Sequence, residues 1–194
     1  YLKSPTQMEA LFAETPDAIS NTRRIAERCR FDVTRDLTYR FPDYVAPEGQ
    51  TADEYLEEVC LRAARERRIP PTKIEETLMP ELQVIRDSEQ AGFFLRSWAI
   101  MQHAREKNLP ARGRGSSVGS LVCYLLDLSG IDPIKYNLFS GRFLNEARRK
   151  EDVPDIDIDF AREAREAMFE HIFATYGTEH AALVANVIQY RYPM

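Results

Sequence analysis

The sequence has too few cysteines, and places them too far apart, for a disulfide framework. Cys29, Cys60 and Cys123 form no close pair, and an odd number leaves one unpaired. They read as buried thiols in a reducing compartment. The three histidines, His103, His171 and His180, have no metal-ligand spacing with one another or with a cysteine. No apolar run approaches the roughly 18 residues that span a bilayer, and no secretory leader opens the chain, so a cytoplasmic location with no membrane partner is expected. A basic excess is also absent. The net charge is −5, so any contact with nucleic acid must rest on local clusters. Internal repeats and low-complexity stretches are missing too.

What is present suits a folded chain. The sequence has 194 residues, of which 44% are apolar and 29% charged, which suits one domain, or one domain with a helical appendage. Residues 4–30 read as two helices split at Pro16. Residues 36–50, with Pro42, Pro47 and Gly49, read as an extended linker. Thr51 and Glu54 form a capping box ahead of Tyr55, Leu56, Val59, Cys60 and Ala63 at helical spacing. Pro70-Pro71 closes that helix, another covers about 75–89 with a break expected at Pro80, and a third runs over 92–107. Phe93, Phe94 and Trp98 on this last helix read as core rather than as a base-stacking platform. A helix is predicted from Ser117, with Val118, Leu121, Val122, Leu125 and Leu126 on one face. Residues 164–176 form a helix closed by Gly177, and 181–190 read as a strand.

Two segments carry chemistry. Pro154 to Phe160 alternates strictly, so a strand there turns Ile156 and Ile158 to one side and Asp155, Asp157 and Asp159 to the other. Three carboxylates within about 7 Å repel unless cations lie between them, and oxygen-only ligands suit Mg²⁺, above all when phosphates complete its shell. An EF-hand loop is the weaker alternative, since Phe160 stands where that loop needs glycine. A solvated acidic face with no ion stays open. The second segment is Gly113-Arg114-Gly115-Ser116-Ser117, ahead of the predicted helix. Glycines admit a phosphate to the backbone, a helix start offers N–H groups, and the hydroxyls and the guanidiniums of Arg112 and Arg114 add donors. It is no Walker loop, and no clear strand precedes it as a dinucleotide fingerprint would require. The alternative is plain capping of a helix. A basic run, Arg142, Arg148, Arg149 and Lys150, reads either as a phosphate contact or as a solvated loop.

Taken together and in order, Gly113–Ser117, Gly119–Tyr124, Ile131-Asp132-Pro133, Arg142–Asn145 and Pro154–Phe160 resemble the C family of bacterial DNA polymerases, the DNA polymerase III α subunit. The resemblance is strong over about 90–190 and looser before. It implies an α+β, mostly helical fold: a polymerase-β-like nucleotidyltransferase palm with a small mixed sheet, within a larger multidomain enzyme. Residues 1–45 would be a helical link following the PHP domain, and 46–194 the N-terminal part of the palm up to the thumb. By the same resemblance Asp155 and Asp157 are catalytic and bind two Mg²⁺ ions, with Asp159 a neighbour. Gly115 and Ser116 hold the β- and γ-phosphates of the incoming nucleotide, with Arg114 near and Arg112 and Ser117 auxiliary. Arg142 matches a triphosphate-contacting arginine, although Ser140-Gly141 stands where the family usually has Phe-Glu. The implied partners are primer-template DNA and dNTP, with a sliding clamp and other replisome subunits for the parent protein. The family's third catalytic aspartate would lie beyond residue 194, so this chain alone is expected to be inactive. Residues 182–188 look like the error-prone branch and 115–120 like the replicative one. A small-substrate nucleotidyltransferase and a structural segment without a working site remain the alternatives.

Overall fold

The computed structural model describes residues 2–32, 43–144 and 155–187. The chain divides into two compact units, Tyr1–Tyr39 and Arg40–Met194. The first holds helices α1, Pro5–Leu11, and α2, Pro16–Arg28. Ser4 and Gln7 make a reciprocal capping box on α1, and Pro16 opens α2 at its first turn, where a missing N–H costs nothing. Neither helix buries a residue. This corrects the expectation for Cys29, which is exposed at the C-cap of α2, a helix that buries none of its residues.

Among the described residues, four helical runs build the core of the second unit. They are α3 (Ala52–Glu66), a run over 71–87, α6 (Ala91–Glu106) and the short α7 (Leu121–Leu125). The Thr51–Glu54 capping box forms as predicted. The run over 71–87 comprises α4 (Pro71–Lys73), a π-helical segment Ile74–Leu78 and α5 (Met79–Asp87). Pro80 does not break the helix. It lacks the N–H that would bond the Glu76 carbonyl, and the chain widens just before it, with Met79 N–H donating to the Ile74 carbonyl five residues back. The core is made by Leu56, Cys60, Leu78, Ile85, Phe94 and Leu121 with their neighbours, and Phe143 enters it against Phe94. Each such side chain contributes roughly 1.5–3 kcal/mol on burial. Phe93 and Trp98 pack on this core, in line with the structural reading given to them above.

Asp127 ties three of these helices together. It sits in the left-handed region with φ +60° and binds Arg67, from the end of α3, and Arg105 of α6. Arg67 also donates to the Tyr124 carbonyl of α7 at 2.6 Å and lies over the Tyr124 ring at 4.3 Å. Burial works against the Asp127 charge, but the bond from Arg105 and the fields of both arginines prevail and hold its carboxyl below the usual carboxylate range.

The sheet consists of two antiparallel strands, β1 (Ala111–Arg114) and β2 (Asp157–Phe160), with Ala111 opposite Phe160 and Arg114 opposite Asp157. Among the described residues no parallel strand makes it mixed. β1 is a correction, because no strand was read before the glycine turn. Arginine and glycine have little intrinsic strand preference, and the pairing comes from β2. Gly113 is required here: a β-carbon would stand 1.6 Å from the Leu128 carbonyl oxygen. Of the strand expected over 181–190, residues 181–187 form none, and the rest lies outside the described residues. Val184 and Val187 are exposed there, since apolar, β-branched composition does not make a strand without a partner edge. No helix among the described residues is long and apolar enough to cross a membrane.

Helix α8 (Arg165–Tyr176) ends at Gly177, as predicted, with φ +71°. It meets α6 through His171, whose ring stacks on His103 with centroids 3.4 Å apart and planes 2° from parallel. Burial first, and then the facing His103, push the His171 imidazole below its usual range. Unfolding releases that constraint, so the unfolded chain takes up the proton first. The contribution to stability is complete above the ordinary histidine value and declines as pH falls from about 6.5 through the lowered one. Melting followed by circular dichroism should show a lower Tm at about pH 5.5 than at about pH 7.5, and His171→Phe, which keeps a stacked ring, should reduce that difference. An equal pH dependence in the variant would contradict this.

Candidate nucleotide and metal site

The site begins with the register of the two strands. Alternation puts Asp157 and Asp159 on one side of β2, and the antiparallel pairing sets Arg114 and Arg112 opposite them. Ile156 and Ile158 pack on the core, as their spacing predicted. Asp155 lies just before the strand and is exposed, and its charge still acts on Arg114. Arg114 Nε donates to Asp159 Oδ1 at 3.0 Å, and its Nη1 lies 3.5 Å from Asp157 Oδ2. The bond to Asp159, then the fields of Asp157, Asp159 and Asp155, raise the already high guanidinium pKa. Exposed pairs of this kind add little stability. Their importance is positional, because Arg114 lies against the acids that would otherwise repel one another.

Directly after β1 the chain makes a tight 3₁₀ turn, Gly115–Gly119. Gly115 has φ +78°, and a β-carbon on it would come within 3.0 Å of Asp157 Oδ2. The glycine turn and the acidic strand are therefore immediate neighbours, as the metal–phosphate reading requires. Ser116 is exposed at the turn. Ser117 faces inward: it is fully buried, and its hydroxyl donates to the Arg114 carbonyl at 2.9 Å. It braces the turn, whereas Ser116 presents itself to solvent. Arg112 is exposed on the acid-bearing side. The backbone of Arg142 lies in a second 3₁₀ turn, Ser140–Arg142. The remaining basic residues, Arg148, Arg149 and Lys150, and also Pro154, fall outside the described residues.

The α-helix itself starts at Leu121, later than predicted, and its N-terminus does not face a phosphate. Its first N–H groups are already taken. Leu121 N–H donates to Glu81 Oε1 at 3.1 Å, Val122 N–H to Glu81 Oε2 at 3.0 Å, and Cys123 N–H to Ser120 Oγ at 3.1 Å. The donors left to a ligand are those of the turn Gly115–Gly119, not the helix. Sequence reasoning missed Glu81. The signal was there, since Leu78, Glu81, Leu82 and Ile85 follow the i, i+3, i+4, i+7 stripe of a buried helix face, and one member of it is an acid.

Among the described residues, no three carboxylate, imidazole or thiolate groups converge on one point. The acids nonetheless suit magnesium, which keeps several waters and takes one or two carboxylates, with phosphate oxygens completing its shell. The pairing of β2 with β1 also rules out an EF-hand loop here.

A family profile described as "Bacterial DNA polymerase III alpha NTPase domain" matches residues 54–192. This chain belongs to the bacterial DNA polymerase III alpha family. It is 38% identical over 193 residues to "Error-prone DNA polymerase 2" of Rhizobium meliloti, covering 98% of this chain and 18% of that protein. Against "Error-prone DNA polymerase 1" of Agrobacterium fabrum it is 38% identical over 195 residues, covering 98% and 18%. "Error-prone DNA polymerase" of Allorhizobium ampelinum is 39% identical over 194 residues, covering 98% and 17%. The chain thus spans less than a fifth of the length of these DNA polymerase III alpha relatives.

The contact of Gly115 with Asp157 gives a direct test. In Gly115→Ala the left-handed backbone and the crowded methyl should together cost roughly 1–3 kcal/mol in urea unfolding. An unchanged midpoint and slope would contradict the close approach.

Proposed function

We propose that this chain is part of the palm of a DNA-directed DNA polymerase that adds deoxynucleotides to a primer 3′-OH. The observation that carries the reading is the contact of the glycine turn with the acidic strand, where Gly115 and Asp157 are neighbours. Family membership and the names of the relatives support it. In this reading residues 1–45 are a helical link after a PHP domain, and 46–194 the first part of a polymerase-β-like palm. The protein works in the cytoplasm. Primer-template DNA and dNTP are the substrates, and a sliding clamp and other replisome subunits are partners of the whole protein. The names of the relatives favour the error-prone branch over the replicative one.

Asp155 and Asp157 would hold two Mg²⁺ ions, with Asp159 beside them. Bound there, the ions would supply activation of the primer hydroxyl and neutralisation of charge on the triphosphate. The chain's own groups position the nucleotide. The backbone of Gly115 and the exposed Ser116 hydroxyl donate to its β- and γ-phosphates. Arg114 and Arg112, on the acid-bearing side of β1, offer guanidiniums to the same anion. Arg142 adds another from the turn Ser140–Arg142. Such groups act by holding the α-phosphate in line with the attacking oxygen. The family resemblance implies a third carboxylate besides these, and in this reading Asp155 and Asp157 do not suffice for activity without it.

Primer extension by the full-length protein tests the reading. Asp155→Ala and Asp157→Ala should each lower the rate on the order of 100-fold or more, with an unchanged circular dichroism spectrum. Near-normal extension by either variant would remove the metal roles. Incorporation that ignores the template would point instead to a small-substrate nucleotidyltransferase.

A further inference from the structure

Among the described residues, Glu81 is the charged side chain most deeply set into the core of the second unit, with 4% of its surface exposed. It lies on α5, remote in sequence from every residue of the candidate site. Its carboxylate accepts from Ser120 Oγ at 2.8 Å, Leu121 N–H at 3.1 Å and Val122 N–H at 3.0 Å. Ser140 faces it as well and lowers its pKa, and the two turns pack together, since a β-carbon on Gly119 would stand 2.7 Å from the Phe139 carbonyl oxygen, just before Ser140. Glu81 therefore lies against both turns to which the proposed function assigns triphosphate contacts. Ser120 immediately follows the turn Gly115–Gly119, and its N–H returns to the Ser117 carbonyl. Ser117 in turn holds the Arg114 carbonyl. Ser140 opens the turn that carries Arg142.

The helix beneath is shaped to deliver this group. The π-helical segment Ile74–Leu78 ends just before Pro80, and Glu81 follows it on the inward face beside Leu78, Leu82 and Ile85. Burial pushes the Glu81 carboxyl up from its usual range, and the bonds from Val122, Ser120 and Leu121 oppose that. An apolar residue would fill this space without desolvating a charge, so packing alone gives no reason for an acid here.

We propose that Glu81 is a positioning residue of the nucleotide site: its carboxylate locks the Gly115–Gly119 turn to the Ser140–Arg142 turn, so that both meet the triphosphate in fixed register. The inference rests on the polymerase reading above. Only a carboxylate serves. Each oxygen receives a backbone N–H, from Leu121 or from Val122, which cannot act as an acceptor. In Glu81→Gln the amide nitrogen must oppose one of these N–H groups, so the lock opens whichever way the amide is turned.

The test uses the full-length polymerase, with primer extension measured at varied dNTP and at varied primer-template. Glu81→Gln should raise the KM for dNTP about tenfold or more, leave the Kd for primer-template unchanged and lower kcat less than it raises KM. Ser120→Ala removes one bond to Glu81 while keeping its charge, and should show the same split at smaller amplitude. It decides the matter if Glu81→Gln does not fold. A purely structural role would lower the amount of active enzyme, read as kcat, and leave the KM for dNTP alone. An unchanged KM for dNTP in the folded variants, with the unmodified protein active, overturns the positioning role. Failure of the unmodified protein to extend a primer overturns the polymerase reading instead.

Discussion

Antiparallel pairing of β1 with β2 brings together segments that lie far apart in the chain. Ala111–Arg114 has almost no tendency to be a strand, and Asp157–Phe160 carries its charges on one side. The pairing sets guanidinium opposite carboxylate, Arg114 with Asp157 and Arg112 with Asp159, while Ile158 turns to the core. A slip of one residue would bury the acids and expose the isoleucines. Register is thus fixed by burial on one face and by charge on the other. The glycine turn that follows β1 then has no choice of neighbour, and Gly115 arrives against Asp157.

The rest of the unit holds this arrangement still. Gly113 lets β1 lie on the Leu128 carbonyl, Asp127 clamps the ends of α3 and α6 around α7, and Glu81 anchors the start of α7 from below. One steric and two polar supports, each buried or half-buried, back a site in which Asp155 and Asp159 are exposed and Asp157 is half-buried. Rigid support under an exposed, charged rim is the pattern expected where a ligand supplies the missing counter-charges.

Much of this was legible in the sequence, because the signals were local. Period-two alternation at 155–159, the Thr51–Glu54 capping box and Gly177 as a helix stop each depend on a few adjacent residues. The order of the glycine and aspartate motifs was legible as well, and it led to the family. What was missed depends on partners distant in the chain. β1 exists only because β2 pairs with it. Residues 181–187 have strand composition but no partner among the described residues. The start of α7 is displaced from Ser117 to Leu121 because Ser117 and Ser120 divide the capping work, one holding the turn and the other the helix. Glu81 was visible as an acid in an apolar stripe, but only the fold shows what it holds.

The central claim is that the acids of β2 and the glycine turn form one binding site for a metal–triphosphate group. Water-proton relaxation with Mn²⁺, in the full-length protein and with a non-hydrolysable dNTP analogue, tests it most directly. The account predicts that the analogue tightens Mn²⁺ binding about tenfold or more and that Asp157→Asn removes this gain. Equal Mn²⁺ affinity with and without the analogue, or coupling that survives in Asp157→Asn, would contradict it.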